Sequence, residues 1–169
     1  MWAISAVRSP EVVRVYSRDE RNRKAFAVKV HDRLGIRAEP VATAASAVRG
    51  ADIVVMATRS TAPVIDPADV APGAHVTTVG PKGSTTHELP PTLLEAAGVV
   101  ACDSPPQAAA MPDFVTDPAG VVSLGDIVIG AHPGREDAKQ ITVYCSVGLA
   151  GSEVLLAGRL LGEGAGGGA

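Results

Sequence analysis

The apolar run Ile141-Thr142-Val143-Tyr144-Cys145 stops abruptly at Ser146-Val147-Gly148-Leu149-Ala150, and a helical pattern follows from Ser152 to Leu161. A buried strand that turns into a helix through residues without bulk leaves a chain few architectures. In an open parallel sheet the ligand sits at the carboxyl ends of the strands, and such a turn is where it can approach. Ala57-Thr58-Arg59-Ser60 and Val79-Gly80-Pro81-Lys82 repeat the device after two earlier apolar runs. Three such turns predict one ligand-binding edge.

The rest of the chain alternates in the same way. Glu11 to Ser17 reads as a strand, and Asp19 opens a helix in which Phe26, Ala27, Val30 and Leu34 recur at helical spacing before Gly35 stops it. Ile36 to Val41 is a short strand, and Thr43 caps a small helix, Ala44 to Arg49, closed by Gly50. Asp52 to Ala57 is the continuous apolar run a central parallel strand needs, and His75 to Val79 is the next. Thr92 to Ala97 is helical behind two prolines, and Val99 to Cys102 is a strand. Ser104 to Pro118 is loop or short helix, and Leu124 to Ile129 a turn or two of helix. This alternation predicts an α/β fold with a doubly wound parallel sheet, Rossmann-like, over residues 1–161. The Gly-rich stretch 162–169 has nothing to bury and is expected to be a flexible tail.

Composition narrows the class. Of 169 residues 46% are hydrophobic but only 3% aromatic, so Ala and Val must fill the core. That suits parallel strands with closely packed helices. A net charge of -3 shows no basic excess, which speaks against nucleic-acid or anionic-membrane partners. No apolar stretch reaches the roughly 18–20 residues of a membrane span, and no secretory pattern opens the sequence. Cys102 and Cys145 fall in predicted strands, as reduced core residues would. A soluble cytoplasmic protein is the expectation. His31, His75, His87 and His132 lack metal-site spacing, and no metal is assigned.

A dinucleotide-binding domain opens with a strand and a Gly-x-Gly-x-x-Gly turn leading into a helix. Trp2 to Arg8 reads instead as the end of that first helix, so the first strand and its glycine turn are expected to be lacking. A strand of five apolar residues buries roughly 7–15 kcal/mol at ~1.5–3 kcal/mol per large side chain. A whole domain is stable by only about 5–15 kcal/mol. The expectation is therefore either a truncated piece of a longer protein or a neighbouring chain that fills the gap. With no glycine cradle for a pyrophosphate, the isolated chain is expected to bind a dinucleotide weakly or not at all.

The chain resembles the ornithine cyclodeaminase/mu-crystallin family from Trp2 to about Leu161. The matching residues are Val13 to Arg18, Gly50 to Thr58 with Ser60 and Pro63-Val64-Ile65, Pro72 to Val76, Val79-Gly80, Glu88-Leu89, Gly134-Arg135 and Ile141 through Ala150. The resemblance implies NAD or NADP as cofactor, hydride transfer at an amine-bearing carbon of a small amino-acid or imine substrate, and a homodimer in the full-length form. It implies first the conversion of L-ornithine to L-proline and ammonia. Alternatives are a ketimine reductase or amino-acid dehydrogenase of the same family, and a non-catalytic remnant or binding module.

It also implies roles. Ser17 and Arg18 stand where the adenosine ribose is read, and Arg beside Ser suits a 2′-phosphate; the other reading of Arg18 is a solvated charge among its basic neighbours. Ala57, Thr58 and Ser60 lie against the cofactor, with the Thr58 hydroxyl able to donate to it, unless they form only an ordinary strand-end turn. Val79, Gly80 and Ser146 are further cofactor contacts, and Val147 meets the substrate. Lys82 takes the place of the cyclodeaminase's catalytic acid, where it either serves as a base with lowered pKa or holds a carboxylate, or is an exposed loop lysine. Asp103 either faces the site or caps its strand end, and Glu153 stands where many members carry Asp.

Overall fold

A computed structural model describes residues 1–111 and 113–165. A short helix α1 (Trp2–Ser5) precedes β1 (Val12–Val15), α2 (Glu20–Leu34), β2 (Arg37–Pro40), α3 (Ala44–Val48), β3 (Ile53–Met56) and β4 (His75–Thr78). Then come α4 (Pro91–Ala96), β5 (Val99–Cys102), α5 (Pro105–Ala110), β6 (Val122–Ser123), α6 (Leu124–Val128), β7 (Thr142–Cys145) and α7 (Ala150–Ala165). The caps are those the sequence announces. Asp19 accepts from the Arg21 amide, Thr43 from that of Ser46, and Gly35 ends α2 at φ 67°.

All strand pairs are parallel, but they form two sheets, β1-β2 and β3-β4-β7-β5-β6. The break falls between β1 and β3. On one face of the larger sheet Val54, Met56, Val76, Val143, Cys102 and Cys145 pack with Val48 of α3, Leu93 and Leu94 of α4, and Ala108 of α5. Cys102 and Cys145 lie side by side in register, wholly buried, and burial raises both thiols above their ordinary pKa, Cys145 to about 12. They are core residues. On the opposite face Ile53 and Val55 remain exposed, so helices cover that side of β3 only in part.

Several details depart from the sequence reading. Phe26 is exposed, and α2 buries only Ala27 and Val30 fully, with Leu34 half-buried, because the thin two-stranded sheet beneath it accepts only a narrow stripe. The two-residue strand β6 carries no periodic signal and exists through its pairing with β5. Helix α7 continues to Ala165, beyond the expected end at Leu161, since nothing in Gly162-Glu163-Gly164-Ala165 forbids helical backbone bonds. The rest of the expected tail, residues 166–169, lies outside the described residues. Among the described residues no helix is long and apolar enough to cross a membrane.

Packing predicts where truncation hurts. Leu93 is fully buried and Leu155 is 74% exposed on α7. Urea denaturation should show Leu93→Ala losing about 2–5 kcal/mol and Leu155→Ala staying within about 0.5 kcal/mol of the parent. Equal losses would mean that α7 is packed and the core is not where it is drawn.

Candidate active site at the carboxyl edge of the sheet

Because the order is β3-β4-β7-β5 and every strand runs the same way, four strand ends stand side by side: Ala57-Thr58, Val79-Gly80, Ser146-Val147 and Asp103. The ladder continues into the turns. The Val79 amide donates to the Met56 carbonyl (3.0 Å), and the Ser146 amide to that of Thr78 (3.1 Å). Of the expected contacts, Ala57, Thr58, Val79, Gly80, Ser146 and Val147 are thus brought to one edge.

Glu88 holds the first two ends together, and the sequence reading gave it no role. Its side chain is wholly buried. Oε2 accepts from the amide and the hydroxyl of Thr58, and Oε1 from the Thr78 hydroxyl and the Gly80 amide, each at 2.7 Å. Burial pushes this carboxyl toward a higher pKa, but the bonds from Thr78, Thr58 and Gly80 together outweigh it and leave the pKa below the ordinary glutamate value. A Cβ at position 80 would lie 2.5 Å from the Glu88 carboxyl carbon and 2.5 Å from the Thr58 carbonyl oxygen. Only glycine fits there. The loop 81–88 folds back to deliver the carboxylate: the Gly83 amide donates to the Thr86 carbonyl, and that of Glu88 to the Pro81 carbonyl.

That loop also settles where Lys82 lies. The exposed-loop reading is overturned: Lys82 is only 7% exposed, and its Nζ donates to the Gly80 carbonyl at 2.5 Å. Gly83 pairs with Phe114 and the Val115 amide donates to the Lys82 carbonyl, so a distant segment covers the loop. Burial lowers the lysine's pKa, against the opposing influence of Cys145, Glu88 and Asp103.

Asp103 acts as a clamp. Its two oxygens accept from the amides of Val147 (2.7 Å) and Gly148 (2.8 Å), and Gly148 takes φ 82° to present its N–H. Gln107 of α5 donates to the Val147 carbonyl at 3.0 Å. Asp103 therefore joins β5 to the β7 turn as Glu88 joins β3 to β4.

Other expectations are met in a different form. The Thr58 hydroxyl donates to Glu88, so it has no proton left to give a cofactor; its oxygen accepts from the Ser60 amide. The Ser60 hydroxyl donates to the Ala62 carbonyl, the local turn of the plainer reading. Ser17 and Arg18 follow β1 on the separate two-stranded sheet, with Arg18 exposed and the Ser17 carbonyl accepting from Arg23. Among the described residues no hydrogen bond ties them to the other strand ends. A cavity of about 370 Å³ lies elsewhere, around Gly98, Val99 and His132 at the amino end of β5, and holds none of the edge residues.

Parallel strands with small-residue turns aligned at their carboxyl ends define a Rossmann-like α/β domain. The chain matches the ornithine cyclodeaminase/mu-crystallin family over residues 1–161 and belongs to it. A Delta(1)-pyrroline-2-carboxylate reductase of Bacillus cereus is 34% identical over 164 residues, covering 92% of this chain and 50% of that protein. The structure of the Thermococcus litoralis Delta(1)-pyrroline-2-carboxylate reductase in complex with NADH and L-proline aligns with TM-score 0.77 at 30% identity, over 88% of this chain and 49% of that one. An archaeal alanine dehydrogenase dimer with bound NAD aligns with TM-score 0.81 at 30% identity, over 92% of this chain and 50% of that one. The chain thus spans about half the length of the curated relatives it matches.

Removing the Glu88 carboxylate strands four buried or half-buried donors. Glu88→Ala should lose on the order of 3 kcal/mol or more in urea denaturation near neutral pH. Leaving stability within about 0.5 kcal/mol of the parent would mean the four bonds are not made in solution.

Proposed function

We propose that the chain is the cofactor-holding part of an NAD(P)-linked enzyme that reduces a cyclic ketimine to the corresponding amino acid, as the names of its reductase relatives suggest. The observation that carries this choice is the state of the acids at the edge. The cyclodeaminase course expected from the family needs a carboxyl group free to move a proton on the substrate amine. Glu88 is engaged by four donors and Asp103 by two amides, while Lys82 occupies the place where the acid is expected. Reduction of an imine asks less of the protein, because only the imine nitrogen must gain a proton. A lysine with its pKa held down by burial is suited to give one.

The edge fits a nicotinamide dinucleotide by its small side chains. Val79 is half exposed, and at Gly148 nothing stands within 4 Å of where a Cβ would point. When bound, the dinucleotide supplies the hydride. Ala57, Val79 and Gly80 offer a flat surface for it, Ser146 a hydroxyl and Val147 apolar contact for the substrate. The exposed guanidinium of Arg18 beside Ser17 suits a 2′-phosphate, which favours NADP. A homodimer working in the cytoplasm belongs to the same proposal. It is in keeping with the dimeric alanine dehydrogenase and with two buried free cysteines.

The test is a chimera in which this chain is joined to the half of the Bacillus cereus reductase that it does not match. NADPH oxidation should follow addition of Delta(1)-pyrroline-2-carboxylate, with little ammonia released from L-ornithine, and Lys82→Met should lower kcat by about tenfold or more. Efficient ammonia release by the unmodified chimera would overturn the reading in favour of cyclodeamination. Turnover of neither substrate, with a folded chimera, would favour a non-catalytic binding role.

A further inference from the structure

The cavity of about 370 Å³ at the amino end of β5 lies at the opposite end of that strand from Asp103. Its size falls within the roughly 300–1,000 Å³ of small-molecule sites. Leu94, Val99 and Val121, all buried, give it apolar walls, and Thr116, Asp117 and His132 border it as well. Among the described residues no lysine or arginine lines it, so a phosphate would meet no cation there.

Two hydrogen-bond donors border this space. The first is backbone. The Thr142 and Ser146 amides donate to the Ala74 and Thr78 carbonyls, so β7 gives its even-numbered residues to β4 and its odd-numbered ones to β5. Val143 therefore bonds to β5 on either side of its register partner Val100, at Val99 and Ala101. The peptide groups of Val100 and Cys102 turn the other way, toward β6. The ladder with β6 begins only at Ala101 and Val122, so it does not take up the N–H of Val100, a residue that lines the cavity. The second donor is His132. Its Nδ1 accepts from the Gly134 amide at 3.0 Å, which places the proton of the neutral ring on Nε2. Among the described residues no hydrogen bond takes up that N–H.

Asp117 supplies the opposite character. One of its oxygens accepts from the Ala119 amide at 3.0 Å, and the other makes no hydrogen bond among the described residues. Two donors, a carboxylate and apolar walls select a ligand of matching make-up. A carboxylate accepts from the N–H groups, an ammonium donates to Asp117, and an aliphatic side chain covers Leu94 and Val121. A simple carboxylic acid would bring a second negative charge to Asp117. A simple amine would leave both N–H groups without an acceptor.

We propose that this cavity is a binding site for a free α-amino acid with an aliphatic side chain, held by its carboxylate at the Val100 and His132 N–H groups and by its ammonium at Asp117. The site stands apart from the carboxyl edge and does not depend on which reaction that edge serves.

L-Leucine is the probe, with isocaproate, which lacks the ammonium group, and isoamylamine, which lacks the carboxylate, as controls. Each is titrated into the isotope-labelled chain and followed by amide NMR. L-Leucine should shift the Val100, Gly120 and Val122 amides saturably, with one dissociation constant, and leave those of Thr58, Gly80 and Val147 in place. Each control should bind more weakly by about tenfold or more, as the loss of a charged hydrogen bond implies. Asp117→Asn keeps an acceptor for the Ala119 amide and His132→Asn one for the Gly134 amide, so both preserve the local turns. Each should weaken L-leucine binding by about tenfold or more. The two controls act on the parent chain and do not depend on how the variants fold. No saturable shift at the amino end of β5, equal binding of either control, or full affinity in either variant would overturn the proposal. So would shifts confined to Gly80 and Val147, which would assign the amino acid to the carboxyl edge.

Discussion

Taking an ionised carboxylate out of water costs several kcal/mol unless hydrogen bonds replace the lost solvation. At Glu88 the replacement comes from four donors on two strand ends, Thr58 after β3, and Thr78 and Gly80 on β4. The consequence is mechanical as much as energetic. One buried charge sets the separation of the two turns, excludes any side chain larger than hydrogen at position 80, and brings loop 81–88 back over the core. Lys82 is buried at the edge because the loop that carries Glu88 has to fold inward. Asp103 repeats the device on β5 and β7 with two amides instead of four donors.

The two carboxylates bear on the chemistry because they are spent on structure. An edge with acids in plain view would suit proton shuttling on a substrate amine, whereas this one presents small residues, backbone and a buried lysine. The proposal of imine reduction over cyclodeamination rests on that division.

Much of this was legible in the sequence because its signals are local. Apolar runs ending at Ala57-Thr58, Val79-Gly80 and Ser146-Val147 locate the edge without any knowledge of strand order, and Asp19, Thr43 and Gly35 mark helix ends by their own backbone chemistry. Glu88 is among the residues that match the family, but its function is hidden in the sequence, since Thr58 lies thirty positions away and no spacing rule links them. The burial of Lys82 was hidden for the same reason, as it depends on Phe114 and Val115 arriving from a distant segment. Asp103 stood open between facing the site and capping its strand; the amides of Val147 and Gly148, more than forty positions on, decide for the clamp. Two-residue β6 and the exposed Phe26 show the reverse case, in which local pattern promised either nothing or too much.

The central claim is that ionised Glu88 couples the ends of β3 and β4. Its folded pKa lies below the ordinary glutamate value, so the stability it contributes is present above that ordinary value and is lost as pH falls through the folded pKa. An acid titration of the isotope-labelled chain, following the Thr58 and Gly80 amide resonances by NMR, tests this directly. Both should move together with one midpoint below the ordinary glutamate value. Two separate midpoints, or a shared one at or above that value, would contradict the account.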